Sequence, residues 1–359
     1  MKLYSKSKII KNLKEFSNLI NNFRLKNNDC EIRYEDINLF NNDKKQKRKQ
    51  VKKDNDKNNK IREFIIYNII SKKVCDEIYK ISNSWRDMKN EIERYLQELF
   101  NDDKLEIDGD NYIIIEIKGG RKYNYDFLIK YKGVEYKVEF KFNSDSISKL
   151  PQIVQIHKPS KFLTSNYEEF YYDKYLPELL EDTKIEIPEK EIYLKDINSP
   201  DPKCVKILKE EYKNNKKFKE KANKYSKISI KKFIDNNDLK EEEISKYLLE
   251  TQNDKYYMFY YNGKFKIENL DSKKLEIKNK TQTKTKNSYI VETISGLKLN
   301  FLLRWKNNNG IAYPALQVKV LNEKKKKNNN KNIISKQEDK IKENDEKDLE
   351  EIISGINKL

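Results

Sequence analysis

Apolar residues recur along this chain with two different periods, and the changes from one to the other divide it. From Ile61 to Phe100 the spacing is helical. Within WRDMKNEIERYLQELF, residues Trp85, Met88, Ile92, Leu96 and Leu99 fall on one stripe of a helix. Three short runs of strand character follow: YIIIEI (112–117), DFLIKY (126–131) and VEYKVEFKF (134–142). SISKLPQIVQI and the residues up to about Leu180 mix helix and loop, and 209–250 read as a lysine-studded helical stretch. A block from YYMFYYNGKFKIENL to LLRWKNNNGIAYPALQVKV is dense in the aromatic and β-branched residues that suit strands. Helix, three strands, helix and a later β-rich block predict an α+β protein.

The ends carry less. Ile9, Leu13, Phe16, Leu19, Ile20 and Phe23 predict a helical segment within residues 1–40. The run KKQKRKQVKKDNDKNNK, closing at Lys60, is too polar to enter a core and predicts a flexible basic linker over 41–60. EKKKKNNNKN opens a charged tail over 323–359. Between these ends the pattern separates a core over 61–200 from a lysine-rich helical and β-rich accessory region over 201–322.

Charge narrows the function classes. Lys and Arg number 76 against 59 Asp and Glu in 359 residues, a formal charge of +17, so a polyanion is the expected partner. AT-rich coding inflates Lys, Asn and Ile in the same direction and is the competing explanation. The three cysteines, Cys30, Cys75 and Cys204, lie far apart with no CxxC pair, which argues against a disulfide framework and structural zinc. A Ser-His-Asp triad would depend wholly on the single histidine, His157. No run approaches the roughly 18 apolar residues of a membrane span, and the start MKLYSKSKIIKNLKEF has no secretory core. The expected location is intracellular, in cytoplasm or nucleus, or in a virion if the source is viral.

The most informative stretch is GGRKYNYDFLIKYKGVEYKVEFKFN (119–143). A two-residue turn at Lys132-Gly133 pairs Tyr131 with Val134 and carries the register on to set Asp126 opposite Glu139. Directly opposed residues have Cβ atoms roughly 4.5–5.5 Å apart on one face, close enough for two carboxylates to share a hard cation. Alternation puts Lys141 on that face too, and gives the other face Phe127, Ile129, Tyr131, Val138, Phe140 and Phe142, a surface able to pack on a helix. A competing turn at Gly109-Asp110 would instead oppose Asp103 to Glu116, with Lys118 following. A plain salt-bridge ladder would also account for Glu139 and Lys141, since Glu-x-Lys recurs elsewhere in the chain.

An aspartate at that hairpin offset, Glu-x-Lys on the next strand, and a preceding helix and strand together resemble the PD-(D/E)xK nuclease superfamily, the restriction-endonuclease-like fold. Its core runs α-β-β-β-α-β. The resemblance covers roughly Trp85 to Leu180, and Tyr125 stands where the family name has proline. It implies that residues 61–200 are a nuclease core, that Asp126 and Glu139 hold Mg²⁺ (with Mn²⁺ as a substitute) helped by the Phe140 carbonyl, and that Lys141 assists the attacking water. It further implies an acidic residue from the first helix followed by apolar residues three and seven positions on. Glu93 fits, with Leu96 and Phe100 at those offsets, and Glu91 is the fallback.

DNA is then the expected partner and a homodimer a compatible assembly. Arg121 and Lys122, before the second strand, suit phosphate contacts. Gln152 and Gln155 fall near the start of the expected second core helix, where they could touch substrate. Arg304 and Lys306, beside the Asn307 to Asn309 run, carry groups suited to phosphates and base edges. The alternative from another class is a non-catalytic basic nucleic-acid-binding or packaging protein.

Overall fold

A computed structural model describes residues 15–27, 30–41, 51–110, 112–119, 123–199, 201–278, 282–306 and 310–321. Arg121, Lys122, Asn307 to Asn309 and the charged tail fall outside them. The architecture is α+β, with helices around two five-stranded sheets and one two-stranded ribbon.

Where helix was expected throughout 1–40, residues 15–22 are helical, but β1 (Arg24–Asn27) and β2 (Cys30–Arg33) then pair antiparallel. A 3₁₀ turn (Tyr34–Phe40) follows. The helical stripe ends at Phe23, and the next anchors, Ile32, Ile37 and Phe40, are buried from this ribbon and turn. The expected linker is corrected in its second half. Helix α1 (Val51–Ile70) runs through it, because Phe64, Ile65, Ile66, Ile69 and Ile70 are buried and fix a nucleus from which extension into polar sequence costs little.

After α2 (Asp76–Ile81), helix α3 (Asn83–Phe100) starts where the Ser82 side chain accepts from Trp85 N. The expected stripe holds, with Trp85, Met88, Ile92, Leu96 and Leu99 all buried. Strands β3 (Ile113–Ile117), β4 (Phe127–Tyr131) and β5 (Val134–Phe142) form an antiparallel meander. Lys132 and Gly133 both have positive φ, 47° and 80°, which matches the twist of a two-residue hairpin and gives the expected register, Tyr131 to Val134 and Phe127 to Val138. Residues 103–110 are turns and β3 pairs with β4, so the competing Asp103–Glu116 hairpin does not form. Lys118, just past the end of β3, instead forms an ion pair with Glu116 of that strand.

The chain then leaves this sheet. It makes β6 (Val154–His157), α4 (Tyr167–Lys174), α5 (Leu176–Leu180), α6 (Lys190–Asp196), α7 (Lys203–Asn214), α8 (Lys216–Asn236) and α9 (Glu241–Gln252). It returns in β7 (Lys255–Tyr261), parallel to β5, and β8 (Lys264–Asn269), which completes the order β3-β4-β5-β7-β8. Parallel neighbours require a crossover, and here the crossover holds a whole subassembly. Finally β9 (Thr283–Lys284), β10 (Ser288–Glu292), β11 (Lys298–Lys306) and β12 (Tyr313–Leu321) build the second sheet, with β6 at its edge in the order β6-β12-β11-β10-β9.

The sheets therefore do not follow a boundary at residue 200: β7 and β8 belong with the first, β6 with the second. Gln155 lies on β6, not on a helix, because Val154 and Ile156 alternate with Gln155 and His157 at the period of a strand. The helix that precedes the returning strand is α9.

Two main cores result. Phe127, Ile129, Tyr131, Val138 and Phe140 pack with α1 and α3, so the predicted apolar face of the hairpin is a core face. β7 contributes Met258 and Tyr260 to this core and Tyr257 and Phe259 to the other, so it is buried on both sides. Tyr167, Phe233, Phe301, Trp305 and Leu316 belong to the second core.

Candidate active site

Three residues selected from the sequence meet on the hairpin face opposite the first core. Asp126 N donates to Val138 O at 2.9 Å, extending the β4–β5 ladder by the step that sets Asp126 across from Glu139. Phe140 N donates to Asp126 Oδ2 at 2.9 Å, which fixes that carboxylate over the third strand. Lys141 Nζ donates to Glu139 Oε1. Asp126, Phe140 and Lys141 line a cleft of about 590 Å³ whose walls also include Asn143, Lys149 and Tyr261.

Glu93 and Glu91 are not there. Glu93 Oε2 accepts from Ile107 N at 2.9 Å and so ties down the chain after α3. Glu91 pairs with Arg94 at 3.0 Å and accepts from Phe265 N at 3.3 Å. The helical carboxylate in the cleft is Glu63 of α1. It is followed at three and seven positions by Ile66 and Ile70, both buried, the same signal that pointed to Glu93. Its neighbour Arg62 is turned away, 3.5 Å over the Phe142 ring and bonded through Nε to Leu39 O at 3.0 Å, which anchors α1 beside the sheet.

A second lysine was also missed. Lys255 opens β7 at only 3% exposed, and its Nζ lies 2.9 Å from Glu139 Oε2. The register pairs Glu139 with Tyr257, and alternation puts Lys255 on the Tyr257 face, beside the carboxylate. A lysine opening the run KYYMFYY, otherwise aromatic and apolar, was the available signal, since lysine is almost never buried unpaired.

Glu63, Asp126 and Lys141 thus line the cleft, and Glu139 lies beside them between the ammonium groups of Lys141 and Lys255. Burial, reinforced by the charge of Asp126, pushes the Glu63 carboxyl up to about 8. Burial and then Glu139 push Asp126 up to about 6, against the pull of Lys141. Burial also opposes ionisation of Glu139, but Lys141 and Lys255 outweigh it and hold this carboxyl below its ordinary value. Burial works against the Lys141 ammonium too, and Glu139 and Asp126 overcome it, raising its pKa.

Among the described residues, no three His, Cys, Asp or Glu side chains converge closely enough to form a ready-made metal cluster. The donors near the cleft are hard oxygens: the carboxylates of Asp126 and Glu139, with Glu63 near, and the Phe140 carbonyl. That set fits Mg²⁺ in kind, an ion that takes one or two carboxylates and leaves the rest of its shell to water and phosphate.

The remaining sequence candidates gather elsewhere. Gln155, Arg304 and Lys306 lie on the second sheet, where Gln155 pairs with Gln317 and Arg304 NH1 donates to Gln317 Oε1 at 3.1 Å. Gln152 is half-buried in the turn before β6, next to Pro151 of the cleft wall. His157 lies on β6 and does not line the cleft. Of the α8 lysines, Lys221 pairs with Asp182 at 3.0 Å, while Lys217, Lys224 and Lys231 are exposed.

No family model, curated protein or solved structure matches the chain. Among the described residues, no helix is long and apolar enough to cross a membrane.

Proposed function

We propose that this protein is a metal-dependent DNA endonuclease with a restriction-endonuclease-like core. The observation that carries the reading is the meeting of Asp126, Glu139 and Lys141 on one hairpin face, with Asp126 and Lys141 lining a cleft that a helical carboxylate, Glu63, also lines. The topology supports it: a helix, an antiparallel three-stranded meander, a helix and a strand parallel to the third follow the family's α-β-β-β-α-β order.

In this reading Asp126, Glu139 and the Phe140 carbonyl would hold Mg²⁺, with Glu63 near. The ion supplies Lewis acidity and a more acidic bound water. Lys141 would donate to the attacking water and to the scissile phosphate as charge develops on it, from a half-buried site where such charge is worth more than in bulk water. Phe140 N, by holding Asp126 Oδ2, keeps the carboxylate aimed along the strand. Lys255 holds the far oxygen of Glu139 and so positions it.

One observation favours the non-catalytic reading: both oxygens of Glu139 are engaged by lysines, as a structural ladder would have them. A single experiment separates the two. Purified protein is incubated with supercoiled plasmid and Mg²⁺ or Mn²⁺, beside EDTA and the Lys141→Ala variant. Metal-dependent nicking that disappears in the variant is expected. Salt-sensitive binding without cleavage by any cation would establish the binding protein instead.

A further inference from the structure

The second sheet buries one face against helices, and at one end of its opposite face Tyr313 packs on a smaller core that includes Leu176, Tyr193 and Phe218. Leu299, Phe301, Leu303 and Trp305 of β11 and Leu316 and Val318 of β12 lie in the core, so alternation sends the intervening residues to the opposite face. There the register sets Arg304 against Ala315, Lys306 against Tyr313, Asn300 against Lys319 and Gln317 against Gln155. β6, β11 and β12 contain no acidic residue at all. Arg304 bonds an amide, and Lys306 lies 5.9 Å over the Tyr313 ring. The opposite face of these three adjacent strands thus carries Arg304, Lys306, Lys319 and amides, together with Leu302, Leu321 and the buried Ala315. It has no carboxylate of its own, and the adjoining strand β10 brings Glu292 opposite Lys298.

This surface continues the wall of the cleft. Pro151 lines the cleft, and its carbonyl accepts from Gln317 Nε2 at 2.7 Å. The other end of the same amide, Oε1, accepts from Arg304. One side chain therefore links the cleft rim to the first cation of the sheet. Strands are spaced about 4.8 Å apart, so β11 lies only about 10 Å from the edge strand β6.

We propose that this face, centred on Arg304, Lys306 and Lys319, is the platform on which duplex DNA lies when one strand enters the cleft. The orientation toward the cleft rests on the nuclease reading; the affinity for duplex does not. A duplex presents a negative charge about every 1.7 Å of its axis, so seating one phosphate in the cleft brings others over the sheet. Arginine, lysine and amide side chains are the usual partners of those phosphates. Single-strand binding relies on exposed aromatic surfaces, and here Trp305 is in the core while Tyr313 is half-buried, 5.6 Å from the His157 ring and beneath Lys306.

The test uses the full chain carrying Arg304→Gln, Lys306→Gln and Lys319→Gln together. Its binding to a short duplex in EDTA is measured across a salt series. A triple variant losing the same charge on α8, at Lys217, Lys224 and Lys231, is the matched control, and melting curves establish that both are folded. Each lost phosphate contact lowers the salt slope by about 0.9, so the sheet variant is expected to lose about 2.7 and to bind at least about tenfold more weakly, while the control changes little. An unchanged slope in the sheet variant overturns the platform. So does equal weakening in the control, which would reduce the effect to net charge, or a wild-type preference for single-stranded DNA or RNA over duplex. Plasmid cleavage by the same proteins separates this result from the parent reading. Binding with the expected slope change but no cleavage keeps the platform and sinks the nuclease; Lys141-dependent cleavage with an unchanged slope does the reverse.

Discussion

Lys255 Nζ lies 2.9 Å from Glu139 Oε2, and this contact joins a strand of the local hairpin to one that returns from far along the chain. A lysine 3% exposed with a carboxylate facing it forms a buried ion pair, and removing one partner leaves the other uncompensated. Truncation to methionine leaves Glu139 with one ammonium in place of two. Lys255→Met is expected to cost on the order of 3 kcal/mol in urea unfolding at neutral pH, and distinctly less in a Glu139→Gln background. Equal losses in both backgrounds would show that Lys255 acts through packing, not through this pair.

Glu63 and Glu93 offer a paired test of the site. Glu63→Gln is expected to raise the Mg²⁺ concentration needed for cleavage by about tenfold or more, since it removes charge beside the proposed ligands. Glu93→Gln, which weakens only the bond to Ile107 N, should leave the metal requirement alone and cost about 1 kcal/mol of stability. Titrating both variants with Mg²⁺ in the plasmid assay decides the matter. A larger metal effect at Glu93 would overturn the assignment.

Glu168 makes stability depend on pH. It is 4% exposed, its Oε2 has no hydrogen-bond partner, and burial pushes its carboxyl up to about 7. The folded chain thus retains a proton that the unfolded chain releases from about pH 4.5 upward. This group therefore subtracts stability as pH rises from about 4.5 to 7, and the full penalty, on the order of 3 kcal/mol, is present above that window. Glu168→Gln removes the penalty. Relative to wild type, the variant should gain stability between pH 5 and pH 8 in denaturant unfolding. Parallel profiles would refute the buried, protonated carboxyl.

Gly310 has φ +78°, and a Cβ there would stand 2.5 Å from Tyr171 Oη and 3.1 Å from Ala222 O. Tyr171 is fully buried and cannot swing out to solvent. Gly310→Ala combines left-handed strain with this clash and is expected to cost about 2–3 kcal/mol, read as a lowered melting temperature. A loss under about 0.5 kcal/mol would mean that the turn relaxes freely.

The hairpin was legible in the sequence because everything that fixes it is local. A two-residue turn sets the register, and the register sets Asp126 against Glu139. Glu63 was not, since two helical stretches carry the same apolar offsets and only tertiary packing decides which glutamate reaches the sheet. Lys255 and the place of β6 depend on partners distant in the chain. Four residues, Val154–His157, become a strand because β12 is there to accept them. Residues 51–60, the second half of the expected linker, show the converse, in which poor local preference yields to the buried isoleucines beyond them.

The passage of the chain out of the first sheet after Phe142 and back at Lys255 also orders events during synthesis. A hairpin closes in microseconds from neighbouring residues, whereas β7 must find β5 across the entire intervening subassembly, and such distant pairings form slowly. Asp126, Glu139 and Lys141 can come together early, but Glu139 gains its second ammonium only after that stretch has emerged from the ribosome and folded. A chain that ends before Lys255 would hold an unclamped carboxylate and no second sheet, since β9 to β12 lie later still in the sequence.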